Sequence, residues 1–332
     1  PEFAATLQNL VTQGADWIYR GDLADQLIQA CQQQGGYLRH SDLQNYRVIE
    51  RQPLAIDYRG STLLTNPPPS SGGTLIGFAL NLLKDIAPGQ YAQGRSRHVA
   101  ALRETMRQTN LARKDGYDRR LYEADVAERF LHPDHVSQYY HPLTQVLNKW
   151  GSTTHISTLD AEGNAVSMTT SNGEGSSYVI PGTGIMLNNM LGEEDLNPHG
   201  FHQWHPNQRI SSMMAPTLVL QGGKPQLVLG SGGSNRIRTA ILQVVSNVLD
   251  FGMDLATAVE APRMHWERGA FHAEPGYDRA ELEAQGIVAT DSCTWWQQPN
   301  MFFGGVHAVG VTPSGDFHGV GDHRRGGAWV QV

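Results

Sequence analysis

Apolar residues recur at helical spacing over residues 4–13 and 22–34, and the second stretch stops at Gly35-Gly36, so the pattern predicts two helices. Residues 53–57 and 62–65 flank Tyr58-Arg-Gly60 and predict a hairpin. Pro67, Pro68 and Pro69 then forbid regular structure, and helices are predicted over 73–84 and 97–114. From 116 to 150 the chain is polar, rich in His and Pro and weakly periodic, which reads as a linker. Beyond it the period shortens. A hairpin is predicted from residue 153, turning at Glu162-Gly-Asn164, followed by strands at 178–180, 185–187, 217–220 and 226–229, with Gln221-Gly-Gly-Lys224 as a tight turn. Helices return over 237–249 and 254–260, the latter stopped before Pro262, and a strand is predicted over 306–311. That order of elements predicts packed sheets with helices outside them.

Composition narrows the class. The chain has 332 residues, 39% hydrophobic and 17% charged, with 36 glycines, which suits one large domain or two intimate halves. Net charge is 25 − 32 = −7, and no Lys/Arg run could track a phosphate backbone, so nucleic acid is not an expected partner. Cys31 and Cys293 are too few for a disulfide scaffold and sit in no metal-ligand spacing. No apolar run reaches the length of a membrane span, and Pro1 is not followed by a signal-peptide pattern.

The candidate chemistry begins at Gly151-Ser-Thr-Thr-His155, where a small-residue loop runs into the predicted hairpin. A threonine hydroxyl is a weak nucleophile unless a base takes its proton, and a free α-amine on the same residue, titrating near pKa ~8, can be that base. The bond before Thr153 would have to break first. Attack of the Thr153 hydroxyl on the Ser152 carbonyl would give an ester that water hydrolyses, so one side chain would serve maturation and catalysis in turn. On this segment alone an ordinary Thr-rich hairpin is the plainer reading.

Further segments surround it in fixed order: Asn66-Pro-Pro-Pro-Ser-Ser-Gly-Gly73, Pro181-Gly-Thr-Gly-Ile-Met-Leu-Asn-Asn189, Arg209-Ile-Ser-Ser-Met213, Leu229-Gly-Ser-Gly-Gly-Ser234 and Ala258-Val-Glu-Ala-Pro-Arg263. Together they resemble the γ-glutamyltranspeptidase (glutathione hydrolase) family of N-terminal nucleophile hydrolases, over nearly the whole chain. The resemblance implies an α+β fold of the four-layer αββα sandwich type. It also implies cleavage before Thr153 into a part over 1–152, belonging to the large-subunit region, and a small catalytic part over 153–332, both forming one intimate domain. Family members usually carry a longer segment before the nucleophile than 152 residues. The first part of that region, with the arginine that clamps the substrate α-carboxylate, is therefore expected to lie outside this sequence.

Site roles follow from the same resemblance. Thr153 is the nucleophile and, through its freed amine, the base; Ser171 supports it by hydrogen bonding, its plain alternative being an ordinary strand residue. Asn172 lies near the family's substrate-binding asparagine, although Ser171-Asn-Gly-Glu-Gly-Ser176 departs from the commoner pattern. Glu193, then Asp195, is the acid expected to grip the substrate ammonium, since a charge-assisted hydrogen bond is about twice as strong as a neutral one; a solvated acidic loop is the alternative. Ser211 and Ser212 resemble the pair that binds the α-carboxylate, and Gly232 and Gly233 the glycines whose N–H groups form an oxyanion hole. No Gly-Lys-Ser/Thr ending supports a nucleotide loop. His199, His202 and His205 recur every third residue, but without HExxH they read as loop histidines rather than a metal site.

No cofactor is expected. The implied substrates are γ-glutamyl compounds such as glutathione, with water, an amino acid or a dipeptide as acceptor, and the implied compartment is periplasmic or secreted. An amidase or acylase of the same superfamily acting on another acyl group, such as a glutaryl side chain, and a non-catalytic binding module are the alternatives.

Overall fold

The computed structural model of the protein describes residues 1–86, 88–139 and 152–332. They divide into two compact units, residues 1–51 with 172–190 and residues 52–171 with 191–332.

In the smaller unit the predicted helices form as α1 (Glu2–Gln13) and α3 (Asp22–Gln33), with short α2 (Asp16–Arg20) and α4 (His40–Gln44) beside them. Tyr19 stacks on Tyr46 with ring centroids 5.1 Å apart, and the Thr6 hydroxyl donates to the Thr183 carbonyl at 2.7 Å. The strands expected at 178–180 and 185–187 reduce to one isolated bridge, Val179 with Met186. Ser177 adopts a left-handed φ of 61°, which ends the extended run on one side, and Pro181 has no N–H to continue the ladder on the other.

The larger unit is built on β1 (Leu54–Tyr58), β2 (Ser61–Thr65), a hairpin of β3 (Ser152–Leu159) and β4 (Ala165–Gly173, whose last two residues belong to the smaller unit), β5 (Thr217–Gln221) and β6 (Lys224–Gly232). Its helices are α5 (Ser71–Ile86), α6 (Ser96–Ala112), α7 (Val126–Leu131), α8 (Pro133–Val136), α9 (Arg236–Leu249), α10 (Leu255–Glu260) and α11 (Arg279–Ala284). Strands β7 (Met264–Glu267), β8 (Ala270–Ala273) and β9 (Ser292–Trp295) form a small sheet. With β10 (Gly305–Val311) and β11 (Phe317–Val320), six strands make one antiparallel sheet in the order β1-β2-β5-β6-β10-β11. The predicted Gln221-Lys224 turn closes β5 onto β6, with Gly222 and Gly223 at φ 57° and 79°, a conformation that β-branched residues resist.

Burial explains the layering. Helices α5 and α9 pack on one face of this sheet, and the β3-β4 hairpin packs on the other through β6 and β10. Strand β6 is thus covered on both faces, and its run Leu227-Val-Leu-Gly-Ser-Gly232 is wholly buried, as a continuous apolar stretch in a central strand should be. The stretch expected to be a linker is shorter than its sequence suggests: residues 118–139 carry α7 and α8, with buried Phe130 stacked on Phe78 at 4.6 Å. The rest of that linker, residues 140–150, lies outside the described residues.

Four buried histidines make acid a threat to this core. His98, His155, His265 and His272 are each pushed down to about 4, in every case chiefly by burial. Below an unfolded pKa near 6.5 the unfolded chain takes up protons that the fold refuses, so their contribution is complete above that pH and is lost as pH falls towards 4. For Asp322 and Glu267 burial would raise the pKa, but Arg263 and Arg324 around the first and His265 and Arg238 around the second hold both below the usual range, so their contribution persists through that window. Stability is expected to fall steadily between pH 6.5 and 4.5, by roughly several kcal/mol in total, and calorimetry should show the thermal midpoint falling with it; a flat midpoint would contradict this reading of the core.

Candidate active site

Thr153 stands near the start of β3, half-buried, and its Oγ1 lies 3.1 Å from the Ser171 Oγ on β4. The hairpin is thus what brings together two hydroxyls eighteen positions apart. Directly against them is Gly232 at the end of β6: a Cβ on it would fall 2.3 Å from the Thr153 carbonyl oxygen and 3.3 Å from the Thr153 Cβ. Only a residue without a side chain permits that approach.

His155, two residues along, is not a base for Thr153. Its Nδ1 faces the Thr169 Oγ1 at 2.8 Å and its Nε2 the Ser157 Oγ at 2.9 Å, so both ring nitrogens are taken. Burial first, and the charge of His307 second, push it down to about 4 and keep it neutral.

The glycine loop continues as Gly233, at φ 127°, and Ser234, at φ 54°, before α9 begins. Backbone bonds from Arg236 N to the Gly233 carbonyl and from Ile237 N to the Ser234 carbonyl, both 3.0 Å, fix the loop to the helix start. The Ser234 hydroxyl donates to Asp195 Oδ2 at 2.7 Å, which joins this loop to the acidic one.

The three acids of that loop differ. Glu194 is exposed and 3.7 Å from the Arg268 guanidinium. Glu193 is half-buried, near enough to support the charge of buried Arg236, and its carbonyl accepts from Asn197 Nδ2 at 2.7 Å. Asp195 is bonded to the glycine loop through Ser234.

The serine pair is structurally engaged. Ser211 is 2% exposed and donates to the Leu196 carbonyl at 3.2 Å, fastening its segment to the acidic loop. The Ser212 carbonyl accepts from Ser71 N at 2.8 Å, and its Oγ accepts from Met214 N at 2.9 Å. A parallel bridge pairs Ser212 with Ser70, so the Pro-Pro-Pro-Ser-Ser motif meets the Ser-Ser motif. Within the larger unit, hydrogen bonds therefore chain together the acidic, serine and glycine loops. Asn172 belongs to the smaller unit, where its carbonyl accepts from Gly175 N and Asn189 N, each at 3.0 Å.

Sequence reading missed Arg113 and Ser234 as parts of this arrangement. Arg113 follows a helix whose polar residues are nearly all buried, and only their partners reveal why. His199, His202 and His205 are exposed, and among the described residues no three His, Cys, Asp or Glu side chains are placed to hold a metal ion.

Comparison with known proteins gives this geometry a family. The family model described as Gamma-glutamyltranspeptidase matches residues 1–332. The glutathione hydrolase proenzyme of Escherichia coli (strain K12) is 30% identical over 353 aligned residues, covering 97% of this chain and 59% of that protein. The acylase ACY 1 proenzyme of Pseudomonas sp. (strain SE83) is 31% identical, covering 100% of this chain and 61% of that protein. The structure of a cephalosporin acylase from Bacillus halodurans aligns with a TM-score of 0.83 at 24% identity, over 100% of this chain and 63% of that one, a likeness of fold. The chain thus shares the α+β fold of that acylase. The chain spans about six-tenths of the length of these relatives.

Proposed function

Because the chain belongs to the γ-glutamyltranspeptidase family, we propose that it carries the centre of an enzyme that cleaves γ-glutamyl amides through a Thr153 acyl-enzyme. The observation that carries this reading is the Thr153 hydroxyl set 3.1 Å from Ser171, with its backbone against Gly232. Maturation comes first. The Thr153 Oγ attacks the Ser152 carbonyl, the Ser152–Thr153 C–N bond breaks as the ester forms, and water hydrolyses that ester. The products are a carboxylate on Ser152 and a free amine on Thr153, so 1–152 and 153–332 become two subunits.

In turnover the free α-amine takes the proton of Oγ, which attacks the γ-carbonyl of the donor. The oxyanion is met by N–H groups of the Gly232-Gly233 loop, and the proton passes from the ammonium to the departing amine. Water, an amino acid or a dipeptide then gives a proton to the α-amine and attacks the ester, releasing the acyl group and restoring the hydroxyl. Asp195 or Glu193 takes the donor's ammonium and Ser212 its α-carboxylate, while Ser211, 2% exposed and donating to the Leu196 carbonyl, holds the pair in place. The position of Asp195 beside Ser234 favours it over Glu193.

The similarity to acylase ACY 1 supports a second reading, an acylase acting on a glutaryl-type side chain. A glutaryl group has no ammonium for the acid to hold. Comparing hydrolysis of a γ-glutamyl anilide with that of a glutaryl anilide is expected to favour the first by about 100-fold in kcat/KM, because the analogue offers the acid no ammonium to hold. Preference for the glutaryl compound would overturn the γ-glutamyl reading in favour of the acylase.

A further inference from the structure

Arg113 touches none of the candidate catalytic atoms, yet it closes a ring through two loops of the site. Its side chain is 8% exposed at the end of α6. Nε faces both carboxylate oxygens of Asp118 at 3.0 Å, which offsets the charge and leaves the rest of the fork to neutral acceptors. Nη2 donates to the backbone carbonyl of Asp195 at 3.0 Å, and Nη1 to the Asn235 Oδ1 at 3.3 Å. Asn235 is the chain neighbour of Ser234, and Ser234 returns to the Asp195 carboxylate at 2.7 Å. The ring is Arg113, Asp195, Ser234, Asn235 and back to Arg113.

Two consequences follow. The acidic loop cannot shift without pulling on the residue after Gly233, and one oxygen of Asp195 is committed to Ser234, which fixes the direction in which the other points. The ring is anchored on a rigid base, since α6 is buried nearly all round and Asn110, one turn earlier, accepts from the Arg238 guanidinium at 2.9 Å.

We propose that Arg113 is a positioning residue that couples the acidic loop to the glycine loop, so that a donor's ammonium, once held, sets the oxyanion donors. Use of the coupling in catalysis rests on the Thr153 reading above; the coupling itself does not.

The test compares Arg113→Lys, which keeps the charge but loses the fork, with Ser234→Ala, with the double variant, and with Arg103→Lys as a control. Arg103 is a buried arginine on the same helix, bonded to Asp291 through Nε at 2.5 Å and Nη2 at 2.6 Å, outside the ring. Amide hydrogen exchange is read over 191–197 and 233–237, with donor kcat, KM and thermal midpoint alongside.

Arg113→Lys is expected to speed exchange in both loops together and to lower kcat/KM by about 100-fold, as a misplacement of about 1 Å can. The double variant should be little worse than Arg113→Lys, because both changes open one ring. Arg103→Lys should lower the midpoint and leave exchange in the two loops unchanged. Exchange that rises in only one loop, or in neither, would overturn the coupling. So would additive effects of the two single changes. Should Arg113→Lys fail to fold, Ser234→Ala decides alone: faster exchange confined to one loop would sink the proposal. Coupled exchange in a chain that hydrolyses no donor would keep the coupling and reject the Thr153 reading.

Discussion

A chain carrying Thr153→Ala is expected to remain a single 36.5 kDa polypeptide and to lose donor hydrolysis by about 10⁶-fold, the scale on which a nucleophile is missed. The change removes one hydroxyl, with its contact to Ser171 at 3.1 Å, and one methyl group of a half-buried residue, so the fold should hold and its thermal midpoint should stay near that of the parent. His155 is neutral, with Thr169 and Ser157 on its two ring nitrogens, so it offers neither an activated nucleophile nor a base directed at Thr153. Thr153→Ser restores a hydroxyl and should restore both cleavage and part of the activity. Denaturing gels and anilide release read the two effects separately. A Thr153→Ala chain that is still cut before residue 153 would show that another group attacks the Ser152 carbonyl.

The next largest effect is expected at Gly232, where Gly232→Ala would put a methyl carbon 2.3 Å from the Thr153 carbonyl oxygen. Real contacts of this kind do not occur, and the atom met is backbone, so either β6 or the start of β3 must move by about an ångström. Overpacking of this size costs about 1–3 kcal/mol of stability. The larger loss is catalytic. The nucleophile and the proposed oxyanion donors meet at this point, and misplacing them should lower the acylation rate by about 10²–10³-fold even in the fraction that folds and matures. Stopped-flow release of the anilide leaving group measures that step, and an unchanged rate would remove Gly232 from the account.

Elements whose physics is local were legible in the sequence. Helices α5 and α9 lie between a sheet and further helices, and their apolar spacing is dense enough to read without partners. The Gly222-Gly223 turn has a backbone requirement that few other residues meet, and it appeared where expected. Strand β7 was not legible. Its residues Met264, His265, Trp266 and Glu267 are all buried, but two of them are polar and satisfied by distant partners: His265 faces Thr239 and Glu267 faces Arg238. Alternation therefore fails as a signal there. The short helices α7 and α8 were read as linker because their core side is made by contacts between distant segments, with Phe130 and His135 both against Phe78.

The candidate site divides in the same way. Thr153, the serine pair and the glycines lie in short motifs whose order along the chain carries information, whereas Arg113 matters only through Asp195 and Asn235, 82 and 122 residues away. Resemblance placed Glu193 ahead of Asp195, whereas the Ser234 hydroxyl bonds Asp195.

Intact mass under denaturing conditions with N-terminal sequencing decides whether the Thr153 hydroxyl cuts the chain and then serves as the nucleophile. The account predicts two pieces from the 36.5 kDa chain, one of them beginning at Thr153. A single uncut chain that nevertheless hydrolyses γ-glutamyl anilide would contradict it, because the hydroxyl would then act without the freed amine.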